Sequence, residues 1–270
     1  MNVRAAFVDT VCVPSMPRRS VSRGRPRVSP IFLGLVAVTV AGGALTLVPS
    51  DVAVTAGVVV LVLAGWAVSL CLHEFAHALV ADRCGDHAVR GMGYLTLDIR
   101  RYANVGLTFV LPLLFLLVGG IPLPGGAVWI NRGALRSRAA ASAVSAAGPL
   151  MNLLLAVVLA LVVGLVSMPV GLAAGLSFLA LIQVLAFVLN ILPVPGLDGF
   201  GVIDPYLPYA TRASAARFAP YAPLLLFVVI LLIPGAAAVL FSIANAVFGA
   251  AGGSSTLASL GQQLFFFWQR

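Results

Sequence analysis

The stretch LCLHEFAHALVADR, residues 70–83, places two histidines and one glutamate inside an otherwise apolar segment. Residues 52–72 carry no charged side chain, and Glu74 is the only glutamate in the 270-residue chain. Ionisable groups are costly within a membrane span, so those that occur there usually serve a function. This stretch therefore indicates a membrane protein and predicts that its functional site includes these ionisable side chains.

The composition of the chain is that of an integral membrane protein. Hydrophobic residues make up 61% and charged residues 9%, with a mean hydropathy of +1.10, whereas water-soluble domains carry about 25% charged residues. The net charge of +8 comes from 16 basic residues, all of them arginine. Six lie in the first 27 residues and most others lie between apolar runs. This is the positive-inside pattern of membrane proteins, and we expect no nucleic-acid partner.

Three parts are expected along the chain. Residues 1–30 are rich in Arg, Pro and Ser and are predicted to form a disordered cytoplasmic tail, with Met16 as an alternative start. Residues 31–250 are predicted to form a membrane-embedded domain. Residues 251–270 form a C-terminal tail whose LFFFWQR ending is typical of an aromatic anchor at a membrane surface.

The apolar runs of the membrane-embedded domain predict an all-α polytopic fold of about five to six transmembrane helices. The 59 uncharged residues 139–197 are long enough for two spans joined by the turn SMPVG, 167–171. The remaining spans are expected at residues 31–48, 52–82 and 220–250; the last is either one kinked span or a span followed by an interfacial helix, because Pro234–Gly235 interrupts it.

Residues 102–130 are uncharged but broken by prolines and glycines, and they fit a β-hairpin, a re-entrant helix or a full span. If this segment returns to the side it came from, 15 of the 16 arginines lie on one side of the membrane. The arginine distribution thus favours a re-entrant segment. It also predicts a multi-pass protein of the cell membrane with a cytoplasmic N-terminus.

The spacing of His73 and His77 predicts a metal site. Histidines four residues apart on a helix share one face, so both imidazoles reach one Zn²⁺. Glu74 is turned about 100° around the helix, beside the metal, where it can take the proton of an attacking water. A buried polar cluster without metal is the alternative interpretation.

A catalytic zinc site needs a third protein ligand. The candidates are His87, the three cysteines and seven aspartates, most of which lie in loops or tails. Asp198 differs, because it ends the long uncharged stretch in LNILPVPGLDG, 189–199, where Pro and Gly break the helix. A helix-capping role is its alternative. His87, in the segment CGDH, and the cysteines are expected to be ordinary residues without a disulfide framework.

HEFAH followed by LNILPVPGLDG resembles the motifs of the site-2 protease family of intramembrane zinc metalloproteases. AAGPLMN, 146–152, is similar to that family's G-P-x-x-N motif, and VADRCGDHAVRGMGYLTL resembles the segment after the zinc helix in short bacterial members. The resemblance implies that His73, His77 and Asp198 bind one Zn²⁺ per chain. It also implies that Glu74 is the general base and that Asn152 lies near the active centre. The PDZ-like insertion of longer members is absent.

The expected function is hydrolysis of peptide bonds within or near transmembrane segments of membrane-protein substrates. GGIPLPGGAVWI, 119–130, offers an unwound substrate a strand edge, or is simply a re-entrant turn. Asn152 is expected to hydrogen-bond the substrate or the oxyanion, with helix packing as the alternative. A catalytically inactive family member that binds membrane proteins, and a metal transporter, are the alternative functions.

Overall fold

The computed structural model describes residues 28–102 and 129–269, and all regular secondary structure within these ranges is helical. The α-helices are α1 Pro30–Leu45, α2 Asp51–Cys84, α3 Ala88–Gly91, α4 Arg138–Leu165, α5 Val170–Asn190, α6 Asp198–Ile203, α7 Tyr209–Phe218, α8 Ala222–Leu232, α9 Ala236–Ala250 and α10 Ser255–Phe265. Short 3₁₀ turns are Tyr94–Thr96, Ile99–Arg101, Arg132–Ala134, Asp204–Tyr206 and Phe267–Gln269. The helical character predicted from the sequence is confirmed for these residues.

Two predicted segments fall largely outside the described residues. They are the N-terminal tail, 1–30, and the segment 102–130 with its hairpin or re-entrant alternatives.

Three described helices are long and apolar enough to cross a membrane: α2, α4 and α5, with 34, 28 and 21 residues. The predicted turn between the last two is confirmed, because α4 ends at Leu165 and α5 begins at Val170. Two shorter apolar helices, α1 and α9, accompany them. The chain is a membrane protein with a helical core.

Helices α2 and α5 run parallel and in close contact. Gly171 contacts Val54, Gly175 contacts Val58, and Leu179 packs over Gly65, where a Cβ would lie only 2.6 Å from the leucine side chain. Since the contacting positions rise together along both helices, the two helices end at the same end of the bundle. Small residues at such contacts let membrane helices approach closely.

Helix α4 runs in the opposite direction and begins where α2 ends. The backbone N–H of Arg136, just before α4, donates to the carbonyl of Cys84, the last residue of α2, at 3.1 Å. The chain therefore leaves α2 and enters α4 at the same end of the bundle. Nine described arginines cluster in the segments at this end, which we call the arginine end: Arg83, Arg90, Arg100, Arg101, Arg132, Arg136, Arg138, Arg212 and Arg217.

The last three helices of the chain, α8, α9 and α10, complete the bundle around α5. The interruption expected at Pro234–Gly235 separates α8 from α9, and Gly235 has a φ of +86°. Helix α10 then packs along α5, where Gly261 sits against the carbonyl of Ala174 and the ring of Phe265 lies 5.5 Å from that of Phe178. Part of the C-terminal tail thus belongs to the hydrophobic core.

Candidate metal centre

His73 and His77 lie one turn apart on α2 and point to a common position. Their Nε2 atoms are 3.1 Å apart, and each residue is only 6% exposed. The imidazole rings are nearly perpendicular, with an interplanar angle of 77°. The two Nε2 atoms therefore converge on one point inside the bundle, as the i, i+4 spacing predicted.

Asp198 reaches the same point from another part of the chain. Its Oδ2 lies 3.2 Å from Nε2 of His73, and its Oδ1 lies 3.4 Å from Nε2 of His77. Helix α5 stops at Asn190, and the turn that follows contains Gly196 at a φ of +91°, a conformation that favours glycine. Asp198 is the first residue of α6; the N-cap position belongs to Leu197 and carries no side-chain cap.

The three side chains fit a zinc ion. A tetrahedral zinc with bonds of about 2.0–2.1 Å places neighbouring ligand atoms about 3.3 Å apart. The two Nε2 atoms are 3.1 Å apart, Oδ2 of Asp198 lies 3.2 Å from Nε2 of His73 and Oδ1 lies 3.4 Å from Nε2 of His77, so each of these separations is close to that spacing. Two imidazole nitrogens and one carboxylate oxygen are also a donor set found in catalytic zinc sites, which leave a fourth position open.

A backbone carbonyl fixes the orientation of His77. Nδ1 of His77 lies 2.7 Å from the carbonyl oxygen of Val144 on α4. Because a carbonyl only accepts, Nδ1 must carry the hydrogen, and Nε2 of the neutral ring keeps its lone pair for a metal. Such partners behind a ligating histidine fix its tautomer and raise its basicity.

Gly148 lies on α4 directly against the two imidazoles. A Cβ at this position would overlap Nε2 of both His73 and His77. The missing side chain therefore leaves space beside the three ligand atoms. Gly148 belongs to the AAGPLMN motif, which could have drawn attention to it in the sequence. Its contact with the two histidines could not be predicted from the motif.

The two further residues of the predicted site are buried on the helices that carry His73 and Gly148. Glu74 is 2% exposed and follows His73 on α2, so it faces about 100° away from it. Asn152 is 5% exposed and lies one helical turn after Gly148, on the same face of α4. Both side chains are therefore enclosed in the bundle, on the two helices that meet at His73, His77 and Gly148.

The structure places His87 away from the site, as predicted. Its side chain is 65% exposed and pairs with Asp82 at 3.1 Å, and Arg90 also binds that carboxylate. Among the described residues, the one group of His, Cys, Asp or Glu side chains arranged to hold a metal is His73, His77 and Asp198.

Comparison with known proteins shows the family. The profile of Peptidase family M50 matches residues 61–170. The "Putative zinc metalloprotease Rip2" of Mycobacterium tuberculosis is 44% identical over 247 residues, 90% of this chain and 95% of its own. The protein of the same name from Mycolicibacterium smegmatis is 43% identical over the same shares of both chains. The "Putative zinc metalloprotease YwhC" of Bacillus subtilis is 32% identical over 66% of this chain and 83% of its own.

The chain belongs to Peptidase family M50, the site-2 protease family of zinc metalloproteases. The resemblance drawn from the motifs is thereby confirmed, and zinc is the metal that the family implies for this site. No solved structure matches the chain.

Proposed function

We propose that the protein is an intramembrane zinc metalloendopeptidase that hydrolyses peptide bonds within or near transmembrane segments of other membrane proteins. One observation carries the proposal: two buried histidines of a membrane-length helix and Asp198 converge to the separations expected between ligands of one zinc ion, and Glu74 is adjacent to His73 in the chain. A site at this depth meets its substrate inside the bilayer.

The side chains divide the reaction between them. His73, His77 and Asp198 would hold the zinc ion, which would supply Lewis acidity toward the scissile carbonyl. Glu74 accepts the proton of the attacking water and returns it to the leaving amine. Gly148 leaves the space in which the extended substrate chain approaches the ligands.

Asn152 is proposed to hold the substrate. Its amide offers two donors and one acceptor, and it lies buried one turn beyond Gly148. A substrate helix must unwind before cleavage, which frees main-chain groups that need hydrogen-bond partners. The amide of Asn152 satisfies one of these groups, or the oxyanion formed when the carbonyl is attacked.

The proposed topology has five to six spans and a cytoplasmic N-terminus. Helices α1, α2, α4 and α5 and the α8–α9 pair supply five spans. The chain leaves α2 and enters α4 at one end, which supports a re-entrant segment near 102–130. The nine arginines at that end support a cytoplasmic location for it.

The proposed division of the chain follows the same lines. Residues 1–30 form a disordered cytoplasmic tail, 31–250 the protease domain and 251–270 a tail with an aromatic anchor. The partners are the lipid bilayer and a transmembrane protein substrate. The segment 119–130 is proposed to lend the unwound substrate a strand edge.

The decisive experiment is cleavage of a tagged model transmembrane substrate by purified wild type and Glu74→Gln. Glutamine keeps the shape of Glu74 but accepts no proton. We therefore expect full zinc content and a rate of cleavage reduced about 10³-fold. Cleavage by Glu74→Gln near the wild-type rate would remove Glu74 from the role of base. Wild type that binds zinc but cleaves nothing would favour an inactive binding protein.

A further inference from the structure

A short segment at the arginine end, Asn131–Arg136, touches both elements that carry the proposed zinc ligands. We call this segment the brace. It contains the 3₁₀ turn Arg132–Ala134 and lies directly before α4. Its contacts run to the end of α2 on one side and to the end of α6 on the other.

On the first side, the brace is fixed to the end of α2. The backbone N–H of Asn131 donates to Oδ2 of Asp86 at 2.8 Å, and that of Arg136 donates to the carbonyl of Cys84 at 3.1 Å. Gly85, with a φ of +122°, lets the carbonyl of Ala134 approach too closely for any Cβ. Seven residues before Cys84, the same helix carries His77.

On the second side, the brace holds the carboxylate of Asp204. Arg132 donates to Oδ2 of Asp204, and Nε of Arg212 in α7 donates to Oδ1 at 3.3 Å. Asp204 is 6% exposed and directly follows α6, the helix that begins with Asp198. A buried carboxylate between two arginines is a strongly constrained anchor.

Helix α6 is too short to hold its own position. It has six residues, far fewer than an isolated helix needs for stability. Besides Asp204, the contacts that fasten it to the bundle include the hydrogen bond from the hydroxyl of Ser142 to the carbonyl of Val202, at 2.6 Å, and the close packing of Gly201 against Ser145 of α4. The direction of Asp198 therefore depends on these contacts and on what fixes the far end of α6.

We propose that Asp204 is a positioning residue for the zinc site, and that its ion pair with Arg132 sets, through the brace, the distance from Asp198 to His73 and His77. The inference rests on the proposed function, in which these three residues bind zinc. The brace links α2 to α6 outside the membrane helices, so the ligand geometry is held even when zinc is absent.

The test compares Asp204→Asn with Asp98→Asn in the full-length protein in detergent. Asp98 is a matched control: it is equally buried, at 6%, and pairs with Arg100 at 2.8 Å, yet it belongs to the 94–101 segment and not to α6. Hydrogen bonds from Arg100 hold the pKa of Asp98 below its usual range, so the control also loses an ionised, paired carboxylate. The readouts are zinc affinity by chelator competition and hydrogen exchange of the peptide 198–206.

Asp204→Asn is expected to weaken zinc binding about tenfold, as loss of a supporting partner does in other zinc sites. Exchange at 198–206 should become about tenfold faster, since a charge-assisted hydrogen bond is lost. Asp98→Asn should change neither quantity. Wild-type zinc affinity in Asp204→Asn, or exchange at 198–206 no faster than in Asp98→Asn, would overturn the proposal.

A second variant covers the case in which Asp204→Asn does not fold. Arg132→Gln removes one of the two arginines that bind Asp204 and leaves Arg212. It should therefore also weaken zinc binding and speed up exchange at 198–206, while Arg132→Lys should keep most of the zinc affinity. If Arg132→Gln matched wild type in both readouts, the brace would have no positioning role. Failure of the proposed function looks different: Asp198→Asn would then keep full zinc affinity while exchange at 198–206 still responded to Asp204→Asn.

Discussion

Gly148 and His77 are so close that a single methyl group on the glycine would overlap Nε2 of the histidine. The two residues come from different membrane helices, α4 and α2. The space beside the proposed ligands thus exists only because position 148 has no side chain. This relationship leads to the first prediction.

Gly148→Ala should abolish zinc binding or reduce it by more than tenfold, because the new methyl group occupies the place where the ligand nitrogens meet. Zinc content after dialysis is the measurement, with substrate cleavage as the second. Gly164→Ala is the matched control in the same helix, since a Cβ there meets nothing within 4 Å. Equal zinc content in both variants would mean that α4 moves aside at no cost and that Gly148 is not required.

Asp198→Asn should lose zinc and activity while the protein stays folded. Leu197, not Asp198, is the N-cap residue of α6. Asparagine keeps the shape of aspartate, so the protein should still fold, but its amide is a far weaker ligand than a carboxylate. Asp51→Asn serves as control, because Asp51 is also the first residue of a helix, at the opposite end of the bundle. If Asp198→Asn retained full zinc and wild-type cleavage, Asp198 would have no ligand role.

Zinc should stabilise the folded protein in a concentration-dependent way. Free zinc at about 100 times its Kd adds about 2.7 kcal/mol to the free energy of unfolding, so the melting temperature in detergent should rise with zinc and fall on chelation. His73→Ala should show neither change, since it removes one of the converging nitrogens. If the melting temperature of the wild type changed with neither zinc nor chelator, a metal site formed by residues of α2 and α6 would be contradicted.

Reporter fusions should place the arginine end in the cytoplasm. Fusions at Ser20, Arg90, Arg136 and Arg212 are expected to report the cytoplasm, and a fusion at Met168, in the turn between α4 and α5, the opposite side. An external signal at Arg136 with a cytoplasmic signal at Arg90 would refute the re-entrant arrangement of the segment near 102–130.

The sequence predicted that His73, His77 and Asp198 come together, because each left a strong local signal. His73 and His77 combine helical spacing with rarity, and Asp198 interrupts an uncharged stretch just after helix-breaking prolines. The contacts of Gly171 and Gly175 show that α2 and α5 run in the same direction, which is the course that a segment 102–130 returning to the arginine side requires.

Other features left no local signal, because they depend on residues distant in sequence. Arg132 and Asp204 are 72 positions apart, and nothing near either one indicates its partner. The packing of α10 along α5 was missed for a related reason. Its polar residues, such as Gln262, are typical of a tail, while Gly261 and Phe265 face the core.

The hydrogen bond between His77 and Val144 has a consequence for how the site tolerates change. The acceptor is a main-chain oxygen, so it does not depend on the chemistry of the side chain at position 144. A substitution there affects the bond only by moving the backbone of α4. The tautomer of His77 is thus set by how closely α4 approaches α2, and not by the type of residue at position 144.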